Sequence, residues 1–278
     1  MARAISLAAL TVLELPPPEM VSAAAEAGYT HVGLRLIPAT SEEVAHPMVG
    51  DTPVVRETLA RLADTGTGVL DAEIFRLRPE TRLADHLPAM ETAARLGAAH
   101  LLVAGNDPDE GRLTDRFGAF CDAAAALGLG AVLEFMPWTD ARDLVQAARI
   151  VTGADRPNGG VLIDAFHFHR SRSRIEDIGR LLPPERLPYV QLCDVPAGPP
   201  ADMAGIIAEA RGERRFPGEG GVDLARLLRA LPPGAPLSLE IPTHRLARTV
   251  GAVERARRAL AATQALLSMV DGGAGARG

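Results

Sequence analysis

Eight times along this chain of 278 residues a short aliphatic run is followed by a longer amphipathic one, and this rhythm is the sequence trace of repeated β-α units. The expected strands are Ser6 to Val12, His31 to Leu36, Gly68 to Arg76, His100 to Ala104, Gly130 to Phe135, Gly159 to Ala165, Tyr189 to Cys193 and Leu237 to Ile241. Helices are expected over Glu19 to Ala27, Val54 to Ala63, Leu83 to Leu96, Arg116 to Leu127, Ala141 to Val151, Ile175 to Leu181, Val222 to Leu231 and roughly Leu246 to Met269. The segments AEAGYTHVGL, AARLGAAHLLV and AALGLGAVLE share one layout, a helix closed by Gly and a buried strand a few residues later. Strands that read as continuous apolar runs belong to a parallel sheet covered on both faces. With eight such units, no dividing linker and no glycine-rich phosphate fingerprint, the expected fold is α/β, a single (β/α)8 barrel over residues 1–271 with a disordered tail at 272–278. A doubly wound open sheet is the weaker alternative.

Composition bounds the function. The net charge is −6 with no long basic stripe, which argues against extended nucleic-acid binding. No apolar stretch is long enough to span a bilayer, and no membrane association is expected. The two cysteines, Cys121 and Cys193, form neither a CxxC pair nor a disulfide framework, so a reduced, cytoplasmic setting is expected. The polar stretch from Pro196 to Gly221, between the seventh strand and the next helix, reads as an inserted active-site loop.

Polar residues at the C-terminal end of a barrel strand point into the mouth where substrates bind. Four strands here end that way: AVLEF with Glu134, VLIDAFHF with Asp164 and His167, VQLCD with Gln191 and Asp194, and LSLEIP with Glu240. A lone example is explained equally well as a helix N-cap or a salt-bridged carboxylate. Several carboxylates buried together cost several kcal/mol per ion unless a cation sits among them. One divalent metal ion held by Glu134, Asp164, Gln191 and Glu240 is the expected answer, and the oxygen-rich set suits Mn²⁺, Mg²⁺ or Co²⁺ better than structural zinc, with Zn²⁺ possible.

The chain resembles the xylose isomerase-like TIM barrel superfamily, in particular its sugar phosphate isomerase/epimerase branch. The likeness runs through LEFMPW, LIDAFHFHR, VQLCD, RRFPGEGGVDL and SLEIP, over nearly the whole chain. It implies the same four metal ligands. Ketose epimerases of that superfamily usually carry His where Gln191 stands, whereas Gln is found in relatives that dehydrate 3-dehydroshikimate. By position, His167 corresponds to a histidine that touches the substrate oxygen next to the reacting carbon; a loop histidine bonded to backbone is the plainer reading, which also covers His169. The arginine before PGEG contacts substrate in relatives, which points to Arg214 with Arg215 an equal rival. Glu73 and Arg35 face the expected mouth and Trp138 follows Glu134, so these three are candidate substrate-binding residues; a strand-end salt bridge and a rim contact explain them without function. Asp194 is expected only to support its neighbours.

The chemistry expected first is isomerisation or epimerisation of a sugar or related polyhydroxy ketone. The metal polarises the carbonyl and stabilises an enediolate while Glu134 and Glu240 remove and return the α proton. Should the β hydroxyl leave instead, the same site is a dehydratase of a cyclic hydroxyketone such as 3-dehydroshikimate or an inosose, which Gln191 favours. The expected partner is a small sugar-like molecule, and a homodimer is possible. An apurinic endonuclease of the same superfamily needs a histidine-rich multinuclear zinc site, against which stand the seven histidines, mostly away from strand ends. A non-catalytic binder would lose one of the acid/base carboxylates, and both are present.

Overall fold

Short parallel strands of this kind satisfy all their backbone groups only by closing on themselves, and they do so here. A computed structural model describes residues 3–275. The strands β1 (Ile5–Leu7), β2 (His31–Arg35), β3 (Gly68–Leu77), β4 (Ala98–Gly105), β5 (Gly130–Glu134), β6 (Gly159–Asp164), β7 (Val190–Leu192) and β8 (Leu237–Leu239) pair in sequence order, and β8 pairs with β1 to close the barrel. The chain is a single-domain (β/α)8 barrel. No helix among the described residues is long and apolar enough to cross a membrane.

Helices α1 (Pro17–Ala27), α2 (Pro53–Thr65), α3 (Leu87–Arg95), α4 (Glu110–Ala125) and α5 (Leu144–Ala154) follow the first five strands. Their boundaries are set by caps. Gly28, at φ +95°, ends α1 and donates its N–H to Ala24 and Ala25 carbonyls. Thr52, Asp109 and Asp143 open α2, α4 and α5 by accepting the backbone N–H three residues on. The Asp109 cap starts α4 six residues before the expected Arg116, and the Asp143 cap starts α5 later than expected. α3 begins at Leu87 rather than Leu83 because Pro88 belongs in a first helical turn.

Three further departures concern the mouth. The first strand stops at Leu7, and Ala9–Val12 forms a 3-10 turn whose Thr11 hydroxyl donates to Leu239 O at 2.7 Å. Short α6 (Ala165–Arg170) follows β6 directly, before α7 (Ile175–Leu181). The stretch read as a loop contains α8 (Met203–Gly212), capped by Asp202, ahead of α9 (Leu224–Ala230). The expected last helix is two, α10 (His244–Ala247) and α11 (Ala252–Gly275). α11 runs into the segment expected to be a disordered tail, and positions 276–278 of that expectation lie outside the described residues.

The main core lies between sheet and helices and is aliphatic with Phe75, Phe117, Phe120, Phe135 and Phe166. A smaller cluster of Leu70, Ile74, Leu102, Val132, Met136, Leu162 and Tyr189 fills the barrel interior. Because side chains alternate along a strand, Glu134 shares the inward face of Val132, and Asp164 that of Leu162. The packed interior is thus the floor of the site.

Candidate metal and active site

The four expected ligands are all buried at the mouth, but of them only Glu134 and Asp164 fall, with His167, in one group of mutually close ligand atoms; Glu240 lies outside it. Glu134 and Asp164 are the last residues of β5 and β6, Gln191 is central in β7 opposite Asp164, and Glu240 directly follows β8. Gln191 Nε2 donates to Glu240 Oε1 at 3.3 Å, while its own Oε1 is buried with no hydrogen-bond partner. Asp164 Oδ1 accepts the backbone N–H of His167 at 2.9 Å and so caps α6. That cap turns His167 back over the mouth, with Nε2 3.6 Å from Glu134 Oε1 and the ring edge-on to Trp138. Glu134, Asp164 and His167 offer ligand atoms all within 4.8 Å of one another. His167, expected to meet only substrate, therefore stands among the candidate ligands.

The choice between the adjacent arginines is decided by backbone. Arg215 forms an isolated antiparallel bridge with Asp194 and its side chain is exposed, so it takes no part in lining the mouth. Arg214 points inward. Its Nη1 is 2.7 Å from Asp164 Oδ2, its Nη2 is 2.8 Å from Glu240 Oε2, Nε donates to Ala210 O at 2.8 Å, and the guanidinium lies over the Phe166 ring. Asp194 supports the loop as expected: its carboxylate accepts the N–H groups of Val195, Gly218, Gly220 and Val222.

A cavity opens above these groups, bordered by Arg35, Glu73, Glu134, Trp138, His167, Arg214 and Glu240. Arg35 is held by Glu73 at 3.1 Å and Glu43 at 2.8 Å. Burial dominates the electrostatics. Desolvation, with Glu240 and Asp164 adding repulsion, raises Glu134 well above the ordinary carboxyl range. Burial lifts Glu240 to about 8 against the pull of Arg214. Asp164 feels the same burial, but Arg214 and His167 outweigh it and hold it below the usual value. Desolvation lowers His167 to about 4, so its ring is neutral at neutral pH.

Three buried carboxyl groups face one buried guanidinium, and the raised proton affinity of Glu134 and Glu240 reflects the negative charge that Arg214 would leave unbalanced were all three ionised. Gln191 Oε1 is buried without a partner on β7, and Glu134, which is in no ion pair with an arginine among the described residues, borders the cavity. Charge, donor type and the unpartnered oxygen all fit a divalent cation.

The sequence profile of the family described as xylose isomerase-like TIM barrel matches residues 21–266. The chain belongs to that family. Among curated relatives, the 3-dehydroshikimate dehydratase of Pseudomonas aeruginosa is 33% identical over 134 residues, covering 46% of this chain and 20% of that protein. Among solved structures, a xylose isomerase-like TIM barrel/4-hydroxyphenylpyruvate dioxygenase fusion protein superposes with a TM-score of 0.80 at 24% identity, over 97% of this chain and 43% of that one. The IOLI protein, crystallised with a zinc atom, gives 0.77 at 20% identity over 96% and 99% of the two chains. This chain therefore spans under half of the fusion protein and matches a fifth of the dehydratase.

Relative to other features of this xylose isomerase-like barrel, sequence reasoning missed Arg76 and Arg211, which also line the cavity, and the buried Arg170–Glu209 pair that ties α6 to α8. Arg76 had a signal, since it lies two residues after inward-facing Ile74 on β3. For Arg170 and Glu209 the sequence carries none.

Proposed function

We propose that this chain is a divalent-metal-dependent dehydratase of a cyclic β-hydroxyketone such as 3-dehydroshikimate or an inosose. The observation that carries the reading is Gln191, in register with Asp164, whose Nε2 reaches Glu240 while its carboxamide oxygen is buried and unpartnered. The residues that would hold the ion are Glu134, Asp164, Gln191 and Glu240, with His167 beside them. An oxygen-dominated set of this kind suits Mg²⁺ or Mn²⁺ over zinc. When bound, the ion supplies Lewis-acid polarisation of the substrate carbonyl.

The chain's own groups handle the protons. Glu134, at the end of β5 with neutral His167 Nε2 3.6 Å away, takes the proton α to the carbonyl. Glu240, on the far side after β8 and steadied by Arg214, delivers a proton to the departing β hydroxyl. One C–H bond and one C–O bond break, a C=C bond forms and water leaves. Trp138 and Met136 on the cavity wall limit the access of bulk water. The similarity to the Pseudomonas dehydratase supports this chemistry.

A second reading, epimerisation or isomerisation of a sugar or related polyhydroxy ketone, draws on the same two carboxylates bordering one cavity from different strands. The Mg²⁺- or Mn²⁺-loaded protein incubated in D2O with 3-dehydroshikimate, an inosose and a ketose panel separates the two. Appearance of the dehydrated, ultraviolet-absorbing product is expected from a cyclic hydroxyketone. Deuterium exchange into a ketose with no dehydration of either ring would replace the first reading by the second.

A further inference from the structure

The cations around the cavity are not equivalent. Arg35 is paired with Glu43 and Glu73, and Arg214 with Asp164 and Glu240. Arg76, at the end of β3 and half-buried, is in no ion pair among the described residues. Its Nη1 donates to Asn106 Oδ1 at 3.0 Å and its Nη2 to Ala39 O at a long 3.5 Å, neither acceptor an anion. Arg211, presented by α8, lines the same cavity and also lacks a carboxylate partner among the described residues. Burial first, and then Arg78, Arg35 and Arg211, lower the proton affinity of Arg76 against an opposing pull from Glu134. An arginine nevertheless stays charged. A half-buried guanidinium without an anion is costly, and a ligand anion removes that cost.

We propose that Arg76, with Arg211 at the rim, is an anion subsite that binds a carboxylate of the substrate while the reacting carbons face Glu134 and Glu240. This rests on the dehydratase reading and narrows it: of the cyclic hydroxyketones considered, it selects one bearing a ring carboxylate, as in 3-dehydroshikimate, over a neutral inosose. The planar fork of Arg76 matches the two oxygens of a carboxylate. A single half-buried fork with one more cation at the rim suits a monoanion, and a phosphoryl group is the competing source of negative charge.

The test uses Trp138, the only tryptophan, which borders the cavity and reports occupancy by its fluorescence. Shikimate and its methyl ester are titrated into the wild-type protein and into R76Q, R76K and R211Q. The wild type is expected to bind the acid about tenfold to a hundredfold more tightly than the ester, the range of a charge-assisted hydrogen bond. R76Q should bind both at the ester's level, R76K should recover part of the preference, and R211Q should lose only a minor share. If R76Q does not fold by circular dichroism, a severalfold smaller preference in R76K carries the test. Equal binding of acid and ester by the wild type, including binding of neither, overturns the proposal, as does an R76Q protein that keeps the preference. Discrimination of D-fructose 6-phosphate from D-fructose through Arg76, without discrimination of acid from ester, assigns the subsite to phosphoryl groups and overturns the carboxylate. An Arg76-dependent acid preference in a protein that never dehydrates 3-dehydroshikimate leaves the subsite standing and removes the dehydratase reading.

Discussion

Arg214 and Asp164 meet at 2.7 Å inside the barrel mouth, with both side chains buried, and the same guanidinium reaches Glu240 at 2.8 Å. This cation compensates two of the carboxylates that would hold a metal. Its removal in Arg214→Ala is expected to cost about 3–5 kcal/mol in the presence of chelator, because it leaves buried charge unpaired. Millimolar Mg²⁺ or Mn²⁺ should recover part of that loss, so the rise in Tm on adding metal is larger for the variant than for the wild type. Urea denaturation and thermal melts with and without EDTA read both effects. A metal that stabilises neither protein would remove the site.

Gln191 contributes an oxygen that nothing in the chain satisfies. Gln191→Met removes that oxygen while keeping an apolar side chain of similar length, at the cost of one 3.3 Å contact to Glu240. The stability of the metal-free protein is expected to change by about 1 kcal/mol or less. The divalent-ion affinity, measured by calorimetric titration, should fall roughly tenfold or more, since each 1.4 kcal/mol is a factor of ten. Unchanged affinity would place the ion elsewhere.

What the sequence made legible follows from which physics is local. Buried parallel strands read as aliphatic runs, and glycine C-caps such as Gly28 mark where helices stop, so eight units could be counted. Glu134, Asp164, Gln191 and Glu240 interrupted those runs, and each is buried. The choice between Arg214 and Arg215 depends on a bridge to Asp194 twenty-one positions away, which no local pattern records. α8 was hidden by the prolines and glycines before it, although Asp202 followed by GIIAEA was a cap and a helical run. Arg76 sits beside Arg78 in FRLRP, a pair that reads as solvated charge until the inward parity of Ile74 is known.

α8 is anchored to the barrel by a buried fork, Arg170 Nε and Nη2 each 2.8 Å from a Glu209 oxygen. Ala210, the next residue, accepts Arg214 Nε. Glu209→Gln is therefore expected to destabilise the fold by about 3–5 kcal/mol, leaving Arg170 buried without its anion. It should also raise KM more than it lowers kcat, since Arg211 and Arg214 lose their mounting. Arg170→Met combined with Glu209→Leu should cost less than the sum of the two single changes. Additive losses in chemical denaturation would show that the pair does not act as a unit.

Below the site, Tyr189 donates a 2.6 Å hydrogen bond to Asp71 Oδ2, and Asp71 Oδ1 is buried without a partner. Burial first, and repulsion from Glu73 second, raises Asp71 from 3.8 to about 7. In the unfolded chain the group returns to its ordinary value. Below about pH 4 it is protonated in both states and favours neither. Between about pH 4 and pH 7 the unfolded state has released the proton while the folded state keeps it, so stability falls as pH rises, by up to about 1.4 kcal/mol per unit. Above pH 7 both states are ionised and this contribution is level. Asp71→Asn, which cannot ionise and still offers Tyr189 an acceptor, lacks that decline. The stability of the variant minus that of the wild type is therefore expected to increase from pH 4.5 to pH 7.5 by a few kcal/mol, read from urea denaturation at half-unit steps. Parallel curves for the two proteins would mean that Asp71 is ionised in the folded state across the whole range.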